Sequence, residues 1–206
     1  VLYAVTDRSW LNGRTLYEQV EEALEGGTTL VQLREKNMPD KEFINEAVPI
    51  MELCHRYNVP LIINDRVNVA AEIHADGVHI GQSDMDAAKA RKILGPDSII
   101  GVTAKTVEQA LKAQAEGADY LGSGAVFGTT TKSDAKPMDI DTLNAICDSV
   151  DIPVVAIGGI NNDNVMKLSG SRIAGIAVVS GIFDNEDIKG AAQSLRAKAL
   201  NIISGR

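Results

Sequence analysis

The feature that most constrains this chain is a regular alternation of short apolar segments with longer amphipathic ones. The short segments are rich in β-branched and apolar residues, which is typical of strands buried on both faces. The longer segments, such as Leu16–Leu24 and Asp40–Tyr57, have apolar residues at helical spacing. The eight predicted strands are Leu2–Thr6, Thr29–Arg34, Leu61–Asn64, Gly77–Ile80, Ile99–Thr103, Tyr120–Ser123, Val154–Ile157 and Gly175–Val179.

This alternation predicts a barrel. Strands that alternate with helices pair in parallel, because a parallel connection needs a crossover of about a dozen residues. Eight such units in 206 residues predict one α/β domain, a (β/α)8 TIM barrel over residues 1–206. An open doubly wound sheet is the alternative, and the count of eight favours the barrel. Because the chain opens at Val1 inside an apolar segment, we expect a few residues to precede it.

The acidic composition restricts the kinds of partner. Twenty Lys and Arg residues against 28 Asp and Glu residues give a formal net charge of −8, which argues against a nucleic-acid-binding protein. No apolar run approaches the roughly 18–20 residues of a membrane span. Two distant cysteines, Cys54 and Cys147, fit neither a disulfide framework nor a metal cluster. We expect a cytoplasmic protein with small-molecule partners, no nucleic acid and no membrane; a homo-oligomer is compatible with the sequence.

A cluster of hydrogen-bond donors lies at the end of the second predicted strand. Side chains alternate along a strand, so Gln32, Arg34 and Lys36 share the face that points into the barrel and toward its mouth. Donors spaced about 7 Å apart can bind a multiply charged anion such as diphosphate. The alternative is that these charges are solvated or paired with Glu35 or Asp40.

Two carboxylates follow the next two strands. Asp65 comes after strand three, and Asp84 follows strand four. Mg2+ is commonly held by one or two carboxylates together with substrate phosphates, so the neighbouring cations favour a magnesium–diphosphate site. The alternative for Asp84 is the N-cap of a helix over Met85–Leu94. We expect a structural or hydrogen-bonding role for His79 on strand four.

The last four strands end in hydroxyl groups and glycines. Thr103 places a hydroxyl after strand five, where it could instead cap a helix. The loop Gly124–Pro137 combines glycines, threonines and Lys132, a pattern that favours phosphate binding over a flexible linker. Gly159 follows strand seven, before a helix predicted near Asn161. The loops after strands seven and eight form the recurrent phosphate site of such barrels.

Several of these segments together carry a family resemblance. They are, in chain order, Leu2–Arg8, Gln32–Lys36, Asn64–Asp65, Gly77–Asp84, Phe127–Lys132, Ala156–Ile160 and Val179–Ser180. The set resembles the thiamine phosphate synthase family from strand one to strand eight. The resemblance implies a transferase of thiamine biosynthesis. Its reaction joins 4-amino-2-methyl-5-hydroxymethylpyrimidine diphosphate to 4-methyl-5-(2-hydroxyethyl)thiazole phosphate, giving thiamine phosphate and diphosphate.

The resemblance also implies roles for individual residues. Those implied to bind the pyrimidine diphosphate are Gln32, Leu33, Arg34, Glu35, Lys36, Asn64, Thr103 and Lys132, of which Arg34, Lys36, Thr103 and Lys132 are the catalytic candidates. Those implied to bind the thiazole phosphate are Thr129, Thr130, Thr131, Gly159, Val179 and Ser180. Asp65 and Asp84 are the implied ligands of Mg2+, the expected cofactor. Thr103 departs from the family, which usually has Ser there, and Ala125 and Gly128 stand where it usually has Pro.

Three other functions are compatible with parts of this pattern. The related thiazole tautomerase shares the barrel and the thiazole phosphate site but needs no diphosphate cluster. A non-catalytic sensor of phosphorylated ligands has no reason to keep the two carboxylates. A generic sugar-phosphate enzyme explains the ends of strands seven and eight but not the end of strand two.

Overall fold

The architecture is a closed barrel of eight parallel strands. The computed structural model describes residues 1–128 and 137–205. Each strand pairs with the next in chain order, and β8 pairs with β1. The strands are β1 Leu2–Val5, β2 Leu30–Leu33, β3 Leu61–Asn64, β4 Gly77–Ile80, β5 Ile99–Thr103, β6 Tyr120–Gly124, β7 Val154–Ile157 and β8 Gly175–Val178. The predicted barrel is therefore confirmed, and the doubly wound alternative is wrong.

The helices pack around the outside of the strands. They are α1 Leu16–Glu25, α2 Asp40–Arg56, α3 Val67–Ile73, α4 Ala87–Leu94, α5 Val107–Ala115, α6 Ile140–Ser149, α7 Ser180–Phe183 and α8 Ile188–Ser204, with short 3-10 helices at Arg8–Trp10 and Val165–Leu168. None of the helices in the described ranges is long and apolar enough to cross a membrane.

The helix predicted near Asn161 is wrong in type and position. A single 3-10 helix, Val165–Leu168, stands there instead. The Asn161 carboxamide oxygen accepts hydrogen bonds from the main-chain N–H groups of Asp163 and Asn164, at 2.9 and 3.2 Å. Such a turn competes with the first helical hydrogen bonds, so helical geometry begins later.

The core has two layers because strand side chains alternate between the two barrel faces. One layer lies between the strands and the helices and includes Leu33, Phe43 and Ile63. The other fills the barrel itself and consists of Tyr3, Val5, Ile62, Tyr120, Val155 and Ala177. Two of these inner residues carry hydroxyl groups, so the inside of the barrel is not purely apolar.

Two aspartates close the barrel at the end where the strands begin. The Asp76 carboxylate accepts a hydrogen bond from the main-chain N–H of Leu61, and that of Asp119 accepts one from Ile100, both at 2.7 Å. Each aspartate precedes one strand and holds the start of a neighbouring strand. Backbone N–H groups that would otherwise need water are thus hydrogen-bonded. The polar residues that follow the strands lie at the opposite end of the barrel.

Candidate active site

Arg34 is positioned by the segment that follows β1. Its main-chain N–H donates to Thr6 Oγ1 and its Nη1 donates to Asp7 Oδ2, both at 3.0 Å. The Arg34 side chain is only 9% exposed, and its Nε has no hydrogen-bond partner among the described residues. The ion-pair partner is Asp7 rather than Glu35 or Asp40. One edge of the guanidinium is thereby fixed while Nε remains a donor for an anion.

The residues flanking Arg34 differ in what they present to the barrel mouth. Leu33 is fully buried in the outer core layer, so its side chain is out of reach of a ligand at the mouth. Glu35 is buried beside Arg8, whose Nε donates to it at 2.7 Å. Burial raises the pKa of the Glu35 carboxyl, and the Arg8 charge opposes that rise. Lys36 is exposed and has no ion pair within the described ranges.

The carboxyl end of β3 places Asp65 at the mouth. Asn64, the last residue of β3, is buried. Asp65 has a φ of +61°, a left-handed conformation that is uncommon outside glycine, and its N–H donates to the main-chain oxygen of His79 at 2.8 Å. Unusual backbone of this kind persists where its surroundings enforce it, and it is frequent at functional sites.

Asp84 lies on the same cleft as Asp65. The two carboxylates line a cavity of about 260 Å³ together with Asp40, Arg66, Val67, Asn68 and Met85. Asp84 Oδ2 accepts a hydrogen bond from the N–H of Gly81 at 2.7 Å. The predicted alternative, Asp84 as a helix N-cap, is wrong: Asp86 caps α4, accepting from the N–H of Lys89 at 2.8 Å.

Arg66 is a residue of this cleft that the sequence analysis missed. Its Nη1 donates to Asp40 at 2.8 Å, its Nη2 donates to the main-chain oxygen of Lys36 at 3.2 Å, and the guanidinium lies 5.2 Å from the ring centre of Phe43. Arg66 thus fastens the β2–α2 connection, which holds Lys36, to the cleft. The sequence feature that could have identified Arg66 is its position directly after Asn64–Asp65, the predicted site residues at the end of strand three.

A chain of hydrogen bonds crosses the inside of the barrel. Gln32 Nε2 donates to Tyr3 Oη at 2.6 Å, and Tyr3 Oη lies 2.7 Å from Tyr120 Oη. Tyr120 Oη is 3.0 Å from His79 Nδ1, and His79 Nε2 is 3.0 Å from Thr103 Oγ1. The hydrogen-bonding role expected for His79 is confirmed. Two of the predicted site residues, Gln32 and Thr103, are the ends of this chain.

Glycines on two strands make room for the hydrogen-bonded side chains. A Cβ on Gly101 would collide with the ring of Tyr120, and a Cβ on Gly122 would lie 3.0 Å from His79 Cε1.

The helix cap considered for Thr103 is wrong, since Thr106 caps α5 by accepting from the N–H of Gln109 at 3.2 Å. The Thr103 hydroxyl therefore belongs to the barrel interior.

The opposite side of the mouth is built from main chain. Gly158 and Gly159 have φ values of +105° and +65°, and a Cβ on Gly159 would meet the main-chain oxygens of Phe127 and Gly128. Val179 precedes α7, whose first N–H group, that of Ser180, makes no hydrogen bond to the described part of the chain. Thr129, Thr130, Thr131 and Lys132 lie outside the described residues.

Comparison with known proteins points to one family. A family model described as thiamine monophosphate synthase matches residues 2–182. The chain is 56% identical to the thiamine-phosphate synthase of Clostridium tetani over 194 residues, which is 94% of this chain and 93% of that protein. It is 53% identical to the thiamine-phosphate synthase of Ruminiclostridium cellulolyticum over 194 residues, 94% of this chain and 92% of that protein.

A solved structure has the same fold over nearly the full length. The thiamine phosphate pyrophosphorylase from Pyrococcus furiosus superimposes with a TM-score of 0.90 at 40% sequence identity, covering 98% of this chain and 96% of that one. The matched family model covers Arg34, Asp65, Asp84 and Ser180. The chain belongs to the thiamine monophosphate synthase family.

Proposed function

We propose that this chain joins 4-amino-2-methyl-5-hydroxymethylpyrimidine diphosphate to 4-methyl-5-(2-hydroxyethyl)thiazole phosphate, giving thiamine phosphate and diphosphate. The observation that carries the proposal is the oriented guanidinium of Arg34, directly after β2, the strand that pairs with β3. Its edge toward Asp7 is occupied, and its Nε is a buried donor with no partner among the described residues. A buried donor of this kind is costly unless an acceptor meets it, and a diphosphate oxygen supplies one.

The residues of the cleft fit a magnesium ion. Asp65 and Asp84 line one cavity, and Asp84 Oδ2 is held by Gly81. No group of three His, Cys, Asp or Glu side chains in the described ranges could hold a metal ion by itself. Two carboxylates with the remaining positions filled by diphosphate oxygens and water match what Mg2+ prefers. When bound, Mg2+ would offset negative charge on the departing diphosphate.

The rest of the reaction needs positioning rather than a protein nucleophile. The bond between the pyrimidine methylene carbon and the diphosphate oxygen breaks, and its electron pair leaves with the diphosphate. The thiazole nitrogen then donates its lone pair to that carbon, so no proton has to be moved. Arg34 and Lys36 would stabilise charge on the leaving group, and the barrel would hold the two substrates in line.

The main chain after β7 and β8 is suited to the second substrate. Gly159 brings backbone close to the mouth, and Ser180 has an N–H that is not used by the described residues. Backbone N–H groups at the ends of barrel strands seven and eight recurrently bind phosphate. We assign the thiazole phosphate to Gly159, Val179 and Ser180, with Thr129, Thr130 and Thr131 remaining predictions from the sequence.

One assay tests this function. The chain is incubated with both substrates in Mg2+ and, separately, in excess EDTA, and thiamine phosphate and diphosphate are measured. We expect equal amounts of both products with Mg2+ and almost none with EDTA. No product in Mg2+ would overturn the function, whereas full activity in EDTA would overturn the metal site alone.

The same assay separates the alternative activities. Isomerisation of a thiazole phosphate without release of diphosphate would favour the tautomerase, which does not need the oriented Arg34. Binding of phosphorylated ligands without turnover would favour a sensor. The cytoplasmic location and the homo-oligomer considered from the sequence remain predictions. A cell fractionation and a light-scattering mass would test them.

A further inference from the structure

The hydrogen-bonded chain inside the barrel has a direction that can be worked out bond by bond. Gln32 Nε2 is a donor only, so Tyr3 Oη accepts at that contact. The single proton of Tyr3 is then left for Tyr120 Oη, 2.7 Å away. Burial raises the pKa of both tyrosines, which keeps both hydroxyl protons in place.

The direction of donation extends to the histidine. Since Tyr120 accepts from Tyr3, its own proton points to His79 Nδ1 at 3.0 Å. His79 Nδ1 is then an acceptor, so in the neutral ring the proton is on Nε2. That N–H donates to Thr103 Oγ1, also at 3.0 Å. The Thr103 hydroxyl accepts this bond and keeps its own proton for another partner.

We propose that Tyr3 and Tyr120 are positioning residues which, by relaying hydrogen bonds in one direction from Gln32 to His79, fix an acceptor on β2 and a donor on β5. The acceptor is the Gln32 Oε1 oxygen, which receives no hydrogen bond from the described residues. The donor is the Thr103 hydroxyl. This inference rests on the proposed function for its ligand, since Gln32 and Thr103 are the residues expected to meet the pyrimidine diphosphate.

The fixed direction has a consequence for substrate choice. A ligand at the mouth meets a hydrogen-bond acceptor on the β2 side and a hydrogen-bond donor on the β5 side. An aminopyrimidine offers the complementary pair, an amino N–H and a ring nitrogen lone pair. A ring bearing a carbonyl in place of the amino group would place an oxygen against the Gln32 oxygen. The protein would therefore bind such a ring more weakly.

The opposite direction of hydrogen bonding predicts an equally definite position for the histidine proton. If the Gln32 carboxamide were turned by 180°, its oxygen would accept from Tyr3, Tyr3 would accept from Tyr120, and Tyr120 would accept from His79 Nδ1–H. The two directions therefore place the histidine proton on different nitrogens. The tautomer of His79 in the ligand-free protein reports which direction is present, and it can be measured without any substrate.

The test is long-range 15N–1H NMR of the three histidines in the ligand-free protein, at a pH where the imidazoles are neutral. His79 is assigned by comparison with His55→Gln and His74→Gln. We expect one tautomer, with Nε2 protonated and Nδ1 unprotonated. In Gln32→Glu, whose carboxylate can only accept, the chain must reverse, and the proton should move to Nδ1. A native His79 protonated on Nδ1, or a tautomer unchanged in Gln32→Glu, would overturn the proposal.

Two milder variants keep the proposal testable if Gln32→Glu does not fold. Tyr120→Phe removes the donor to His79 and should give a mixture of tautomers. Tyr3→Phe removes both the contact with Gln32 and the donor to Tyr120, so Tyr120 can donate to or accept from His79 and a mixture of tautomers is again expected. In turnover assays both should raise KM for the pyrimidine diphosphate about tenfold, while KM for the thiazole phosphate stays constant. An unchanged tautomer in Tyr120→Phe would contradict the relay, whatever reaction the protein catalyses.

Discussion

The two sides of the barrel mouth are built from different parts of the chain. On the side of β1 to β4, charged side chains define the site: Arg34 is paired with Asp7, and Asp65 and Asp84 share a cleft. On the side of β7 and β8, the strands are followed by glycines of positive φ and by an N–H at the start of α7 with no partner among the described residues. The first side is suited to a highly charged group with a metal ion, and the second to a single phosphate held by main-chain donors.

This difference teaches where substitutions will matter. On the charged side, changing one side chain changes the site directly. On the main-chain side, most substitutions leave the N–H groups in place. A substitution there changes phosphate binding only if it changes the backbone conformation. Three experiments test the contrast, in decreasing order of expected effect.

The largest effect is expected from removing one charge of the cleft. Asp84→Asn keeps an oxygen for the N–H of Gly81 but removes a carboxylate from the proposed magnesium site, so turnover should fall about 100-fold. Asp86→Asn is the matched control in the same loop, because Asn caps a helix as well as Asp does. The measurement is the rate of thiamine phosphate formation across a Mg2+ titration. Equal rates in the two variants would remove Asp84 from the site.

A smaller effect is expected from replacing the guanidinium of Arg34 while keeping its charge. In Arg34→Lys the ammonium can keep the contact with Asp7 or meet the diphosphate, but it lacks the planar fork that allows both. KM for the pyrimidine diphosphate should rise about tenfold. Arg172→Lys, in an exposed ion pair with Asp148, is the control and should change nothing. A wild-type KM in Arg34→Lys would mean that only the charge is used.

The smallest effect is expected on the main-chain side. Gly159→Ala puts a Cβ against the oxygens of Phe127 and Gly128 at a φ of +65°, so KM for the thiazole phosphate should rise a few-fold. Gly170→Ala is the control, since Gly170 also has a positive φ, +88°, but open space around its Cβ position. In a urea titration Gly170→Ala should lose about 1 kcal/mol of unfolding free energy, and Gly159→Ala should lose more because its Cβ also collides with the main chain. The same change of KM in both would show that backbone strain alone, and not the phosphate site, is responsible.

The strands were predictable because each is short, apolar and bounded by polar turns. The bounds of β3, β4, β5 and β7 agree with the sequence-based prediction residue for residue. The cap of α4 was not predictable in the same way, since Asp84 and Asp86 are equally good capping residues. Gly81 decides between them, because its N–H binds the carboxylate of Asp84 and leaves Asp86 for the helix.

Contacts between distant segments were the part that sequence reasoning could not supply. Tyr3 and Tyr120 were not singled out, because nothing in the local pattern says that their hydroxyl groups meet across 117 positions. The pairing of Arg34 with Asp7 spans 27 positions and was likewise missed in favour of closer carboxylates. The pairing of β1 with β2 brings Arg34 to Asp7, and closure of the barrel brings Tyr3 to Tyr120, so both contacts follow from the topology rather than from any single segment.

Because β1 pairs with β8, the barrel cannot close until nearly the whole chain has been synthesised. Leu2 lies opposite Ile176. At about 5–20 residues per second, synthesis of the roughly 170 residues between them takes about 9–35 s. During that time β1 has one edge with no partner, and exposed strand edges are templates for other chains. The yield of folded protein in cells should therefore depend more on synthesis rate and chaperone supply than on the stability of the finished barrel.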